Sequence, residues 1–288
     1  MAHSILRRDL MYAHFQGMTK ILNINDNQLN MYYSDWNNAR EDYPTIFLLH
    51  GAMAHWLDWK YQIANIEDNA NVIAIDIRGH GQSDFGCGFN LDILLQDIVS
   101  TLDALGIKKC IIGGHSFGGM IALVFARNFP EKTKGLLTVD SSYHYEPLWD
   151  DRLVELLPEI ITKKLLFSDN FIARSIAKNM YFSPNTSKEI IDEYLNDHTD
   201  SIARYSPKVF KCYKCMWGFN SLDWLNDIIV PALVVIGKDD KIIPPADAEK
   251  LSQLLPYARF VKLSSGHLPM YEDYKDLNRA IIDLIELC

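Results

Sequence analysis

Residues 110–125, CIIGGHSFGGMIALVF, decide how the rest of the chain is read. Cys110-Ile111-Ile112 is a short apolar run, and a strand buried on both faces has that character. Met120 to Phe125 is a second apolar run, long enough with its flanks for a helix. Between them, one serine stands among four glycines, which allow a sharp bend. A G-x-S-x-G pattern in this strand-turn-helix setting places Ser116 at the apex, with its hydroxyl turned out of the sheet. Glycines here would also serve simply to relieve crowding where a helix crosses a sheet, so other stretches have to supply the chemistry.

Further apolar runs recur at Thr45 to Leu49, Val72 to Ile75, Leu136 to Val139, Ala232 to Ile236 and Phe260 to Leu263. Most are separated by segments long enough for a crossover helix. Their unbroken apolarity predicts an α/β fold with a mostly parallel, doubly wound sheet covered on both faces. Thr19 to Ile24 and Leu29 to Tyr33, joined through Asn25-Asp26-Asn27, predict an N-terminal hairpin.

One interval breaks the rhythm. About ninety residues between Val139 and Ala232 carry helical periodicity without a convincing strand, over Asp151 to Leu157, Ile161 to Phe167, Asn170 to Tyr181, Ser187 to Asp197 and Pro207 to Trp217. The expected organisation is a core over 1–140, an all-helical cap over 141–228 and the rest of the core over 229–288. Such a cap would roof the carboxyl edge of the sheet, where ligands bind in open α/β folds. Some of its aromatic residues, Tyr143, Trp149 and Trp217 among them, are expected to face a ligand.

Composition narrows the partners. The 288 residues are 48% hydrophobic and 23% charged, and the net charge is −9. That balance suits a globular protein and argues against nucleic acid, whose phosphates attract clustered Lys and Arg. No apolar stretch approaches the roughly 20 residues of a membrane span. Residues 1–20 hold no continuous apolar segment of a secretory signal, so the cytoplasm is the expected location. The five cysteines do not form a disulfide framework. Cys212 and Cys215 make a C-x-x-C without a second pair, so free thiols are expected, with no metal and no cofactor.

Catalysis by Ser116 needs a base, a carboxylate to orient the base, and backbone donors for an oxyanion. Each has a candidate after a predicted strand. HGAM (50–53) offers close backbone approach at Gly51 and the N–H of Ala52; GKDDKIIPP (237–245) offers Asp239 and Asp240; SSGHLPMYED (264–273) offers His267. The order Ser, Asp, His carries more information than any one of them.

Together with DIRGHGQS (76–83) and GHSFGG (114–119), these stretches make the chain resemble the α/β-hydrolase family, in particular its small capped members. By position, the resemblance implies Ser116 as nucleophile, His267 as base and Asp240 as acid, with an oxyanion hole from the N–H groups of Ala52 and Phe117. Asp239 is a rival acid in the same loop. Asp140 is a second, because some family members take the acid from the end of the preceding strand. Asp76, Arg78 and His80 are expected to tie down their turn, and Glu272 the histidine loop. Met53, His55, Trp56, His115 and Phe117 stand near the inferred pocket mouth, with packing the commoner role for a histidine placed as His115 is.

Family branches that open epoxides or displace halide carry aspartate where this chain has Ser116. The leading expectation is therefore a serine esterase working through an acyl-enzyme on a small ester. Lactones and carbon-carbon bonds use the same triad and stay open, as does a receptor role like that of some capped relatives. Arg204, Lys208 and Lys211, at helical spacing, would give a basic stripe able to dock an acidic carrier protein bearing an acyl ester; a solvated helix face is the simpler account.

Overall fold

The computed structural model describes residues 17–34, 43–147, 171–202 and 207–288, together with 156, 158, 161 and 205. Its strands are β1 (Met18–Ile24), β2 (Asn27–Tyr33), β3 (Thr45–Leu49), β4 (Asn71–Ile75), β5 (Cys110–His115), β6 (Thr133–Val139), β7 (His144–Tyr145), β8 (Phe219–Asn220), β9 (Ala232–Gly237) and β10 (Ala258–Leu263). Eight of them form one sheet in the order β1-β2-β4-β3-β5-β6-β9-β10. From β4 to β10 every neighbouring pair is parallel, while β2 runs antiparallel to both β1 and β4.

The alternation of side chains along each strand divides the core in two. Phe47 and Leu49 of β3, Ile73 and Ile75 of β4, and Ile112 of β5 face one side. They pack there against α2 (Leu91–Ala104) and α3 (Phe117–Asn128). Ile46, Leu48, Val72, Ala74 and Ile111 face the other side, against α1 (Lys60–Ile66) and the C-terminal helix. Both faces being covered is what demands unbroken apolar strands rather than alternating ones. Each fully buried Leu, Ile or Val contributes about 1.5–3 kcal/mol of transfer free energy.

β6 and β9 pair directly, yet residues 140–231 lie between them in sequence. Two helices in this insertion are described, α4 (Phe171–Met180) and α5 (Lys188–Ile202). Residues 151–155 and 162–167, where two more helices are predicted, lie outside the described residues. Pro207–Met216 winds as a 3₁₀ helix, not the α-helix that its periodicity predicts. The short pair β7 and β8, antiparallel at the base of the insertion, is absent from the sequence reading. Two-residue strands carry too little alternation to register as a pattern. The chain closes with α6 (Pro245–Leu254), α7 (Pro269–Glu272) and α8 (Tyr274–Leu287). No helix among the described residues is long and apolar enough to cross a membrane.

Candidate active site

β5 ends at His115, and α3 begins at Phe117, so a single residue makes the turn. Ser116 takes φ 49° and ψ −115°, a strained backbone conformation that a non-glycine residue holds only when its surroundings enforce it. The surroundings do so through close packing. A Cβ on Gly114 would lie 2.2 Å from the carbonyl group of Gly118, and one on Gly118 would lie 2.5 Å from the backbone oxygens of Leu49 and His50. The glycines thus let the strand, the helix and the loop after β3 meet at van der Waals distance. Ser116 is left half-buried.

The acid and base come from the loops after β9 and β10. His267 Nδ1 lies 2.7 Å from Asp240 Oδ2, with both residues buried. Asp240 Oδ1 accepts the N–H groups of Ile242 at 2.8 Å and Ile243 at 3.0 Å, which fixes the carboxylate from behind. With the Asp240 carboxylate accepting from Nδ1–H, Nε2 is the imidazole's lone-pair atom. The histidine loop is in turn tied to the serine turn: His115 Nε2–H donates to the carbonyl of His267 at 2.8 Å. Burial pushes the His115 pKa down to about 3, so the neutral ring serves as a strut.

The rival acids are placed otherwise. Asp239 accepts the hydroxyl of Ser183 from the insertion at 2.6 Å. Asp140, fully buried and at φ 46°, accepts the Gly237 N–H at 2.7 Å. Desolvation, reinforced by the charge of Asp240, raises its pKa well above the usual carboxylate range. Burial thus biases the Asp140 carboxyl toward its neutral form.

Behind the turn, His50 spans two backbones. Its Nδ1–H donates to Gly51 O at 2.7 Å, and its Nε2 accepts the Ile77 N–H at 2.9 Å. Burial keeps its pKa well below normal. This clamp sets the loop in which Gly51 is followed by Ala52, an exposed residue. The first N–H of a helix has no intrahelical acceptor, so that of Phe117 can serve an incoming oxygen. Asp76 accepts the N–H groups of Trp56 and Gln82 and the amide of Asn30. Arg78 makes a two-pronged pair with Asp97, at 2.7 Å on each side. Glu272 accepts the N–H groups of Gly266 and Ser183 and the hydroxyl of Thr186.

The model of the alpha/beta hydrolase fold family matches residues 44–274, most of the chain. The chain belongs to that family. It is an α/β-hydrolase enzyme, as the named activities of its relatives agree. It is 24% identical to epoxide hydrolase 3 of Xenopus tropicalis, over 94% of this chain and 78% of that one. It is 27% identical to a 2-hydroxy-6-oxononadienedioate/2-hydroxy-6-oxononatrienedioate hydrolase of Paraburkholderia phymatum, over 90% and 91%. Matches to other epoxide hydrolases span only 27% to 51% of those proteins' own length. Among solved structures, the enol-lactonase of Burkholderia xenovorans superposes with a TM-score of 0.78, covering 93% of this chain and all of that one at 20% identity. Such a likeness speaks to fold alone.

The hydrolase places its remaining predicted site residues unevenly. Met53, at φ 59°, packs near Tyr205, Val209 and Cys212 of the insertion. Tyr143 is half-buried beside His144, with ring centroids 4.4 Å apart. Trp56 is buried and stacked on Tyr32, with ring centroids 5.4 Å apart. Trp217 carries the Lys214 ammonium 5.1 Å from its ring. Trp149 and Arg204 lie outside the described residues, as does the side chain of Lys211; Lys208 stands over the Phe85 ring at 5.6 Å. Two contacts were invisible to sequence reasoning. Tyr181 O accepts the His267 N–H at 2.7 Å, and the Tyr181 ring lies 6.4 Å from that imidazole. A backbone acceptor leaves no residue-type signal, so nothing in the sequence could have marked it.

Proposed function

We propose that this hydrolase cleaves a small carboxylic ester through an acyl-enzyme, with Ser116 as nucleophile, His267 as base and Asp240 as orienting acid. The observation that carries this reading is the strained Ser116 turn at a helix N-terminus, tied through His115 to the loop holding the His267–Asp240 pair. His267 Nε2 takes the hydroxyl proton as Ser116 Oγ bonds to the carbonyl carbon. The carbonyl oxygen gains charge and is met by the N–H groups of Ala52 and Phe117. As the tetrahedral carbon collapses, the C–O bond to the alcohol breaks and His267 returns the proton to the leaving oxygen. Water then repeats the sequence on the acyl-enzyme and restores Ser116.

Ser116 rather than aspartate at the apex supports acyl transfer over the epoxide chemistry named for several relatives. In this reading the insertion is a cap over the site and the substrate is a small molecule handled in the cytoplasm. A screen of p-nitrophenyl esters of increasing acyl length, alongside lactones and ring-cleavage products, tests it. Ester turnover that disappears in Ser116→Ala is the expected result. Turnover only of lactones or carbon-carbon substrates would move the substrate class while keeping the triad. Ligand-dependent melting shifts without any turnover would make the chain a receptor.

A further inference from the structure

Apart from Ser116 and its partners, the described residues bring together a second group of metal-ligating side chains. His55 follows the Ala52 loop, Asp58 lies three residues on in the 3₁₀ turn Trp56–Trp59, and His198 comes from α5 in the insertion. One ligand atom from each lies within 4.8 Å of the others, and all three residues are buried. The His55 and His198 rings are 4.9 Å apart between centroids.

The polar geometry of the group is unusual. Asp58 Oδ1 and His198 Nε2 are 3.0 Å apart, yet among the described residues neither of these atoms, nor Asp58 Oδ2, makes an aligned hydrogen bond. Burying a carboxylate without aligned donors is costly unless a cation lies against it. The nearby lysine is otherwise engaged: Lys60 Nζ is held by Glu193 at 2.5 Å and Asp197 at 2.6 Å. Other buried acids, Asp76 and Asp197, add negative field around the group. His198 Nδ1 lies 2.9 Å from the carbonyl of Tyr194, the orienting contact that metal-bound histidines commonly make through their second nitrogen. That contact turns Nε2 toward Asp58.

From this convergence we infer that His55, Asp58 and His198 form a divalent transition-metal site, with zinc the best fit to two imidazoles and one carboxylate. Bonds of about 2 Å in a tetrahedron set ligand atoms roughly 3.3 Å apart, close to the spacing that Asp58 and His198 already have. The second Asp58 oxygen or a water supplies the fourth ligand. Bound metal would pin α5 of the insertion to the loop that carries Ala52. This role is structural and does not rest on the ester reading.

Cobalt titration of the metal-stripped full chain, with equilibrium dialysis for stoichiometry, tests the site. The expected result is one equivalent of cobalt with the visible bands of tetrahedral coordination, displaced by zinc, and a melting temperature raised by about 5 °C or more with saturating zinc. Asp58→Asn and His198→Gln should each weaken binding by at least about 100-fold, beyond the loss from removing an outer partner. His267→Ala should retain the full equivalent, which separates this site from the His115, Asp140 and His267 group. If the first two variants fail to fold, binding by the wild type and by His267→Ala still decides the matter. No stoichiometric cobalt in the wild type would overturn the proposal and leave an imidazolium-carboxylate pair at that place. Cobalt lost with His267→Ala but kept by Asp58→Asn would overturn it equally.

Discussion

At the carboxyl edge of the sheet, Asp240 accepts two backbone N–H groups and the His267 imidazole, all from short loops within a few residues of strand ends. At the junction between α5 and the core, Glu193 and Asp197 are met instead by a long lysine side chain. Tyr61 adds its hydroxyl to Glu193 at 2.5 Å, and Tyr271 adds its own to Asp197 at 3.2 Å. Both regions bury carboxylates. The first neutralises charge with backbone groups that have one available geometry; the second uses flexible side chains that reach across separate elements. Reaction geometry needs the former, whereas holding an insertion against a core tolerates the latter.

The contrast is broken most severely at Ser116. On the proposed mechanism Ser116→Ala removes the attacking oxygen, so ester kcat should fall by about 10⁴ to 10⁶ while the melting temperature changes little. A fluorophosphonate probe should label that serine alone. Asp240→Asn should cost at least roughly 10²-fold in kcat, because the amide disturbs the imidazole tautomer while leaving Ser116 intact. A mild Asp240 variant beside a crippled Asp140→Asn would reassign the acid.

At the junction, Lys60→Met leaves Asp197 buried without its cation. Urea unfolding should show a loss of about 3–5 kcal/mol, the size seen when one partner of a buried pair is removed. A loss under about 1 kcal/mol would mean that the junction holds by packing alone. Asp76 tethers the Trp56 backbone, accepting its N–H at 2.9 Å. Desolvation raises its pKa from 3.8 to about 6. The native chain then binds more protons than the unfolded one between about pH 4 and 6. This group's contribution to stability therefore falls as pH rises through that window, by about 3 kcal/mol in all, and is level above it. Carboxyl carbon NMR should place the Asp76 midpoint near 6; a midpoint near 4 would mean that water reaches the turn. The smallest effects are expected from Asp239→Asn and Asp140→Asn, each within about tenfold of wild-type kcat. For Asp140 the physical ground is specific: burial favours the neutral form of its carboxyl, which an amide closely mimics.

How much of this was legible follows the same division. β3 is Thr45–Leu49, as its apolar run predicts, and β9 and β10 extend their predicted runs by one and two residues. The runs of β3 and β9 are legible because strands covered on both faces are buried at every position, whereas the edge strand β10 leaves Arg259 and Lys262 exposed. The serine turn announced itself because only glycine fits where backbones approach within contact distance. The insertion was legible as helical in α4 and α5, but the 3₁₀ winding of Pro207–Met216 was not, since apolar periods of 3 and 3.6 hardly differ over ten residues.

The sequence alone determined the α/β class, the order of the chemical groups and the residue types at the serine turn. These follow from local rules of burial, backbone strain and strand-end loops. Tertiary structure decided which of three aspartates faces His267, because Asp140, Asp239 and Asp240 differ by where their carboxylates turn, not by residue type. It also decided that His198 meets Asp58, residues 140 positions apart in the chain. Contacts between distant segments depend on how the insertion packs on the core, and no local pattern of residues encodes that.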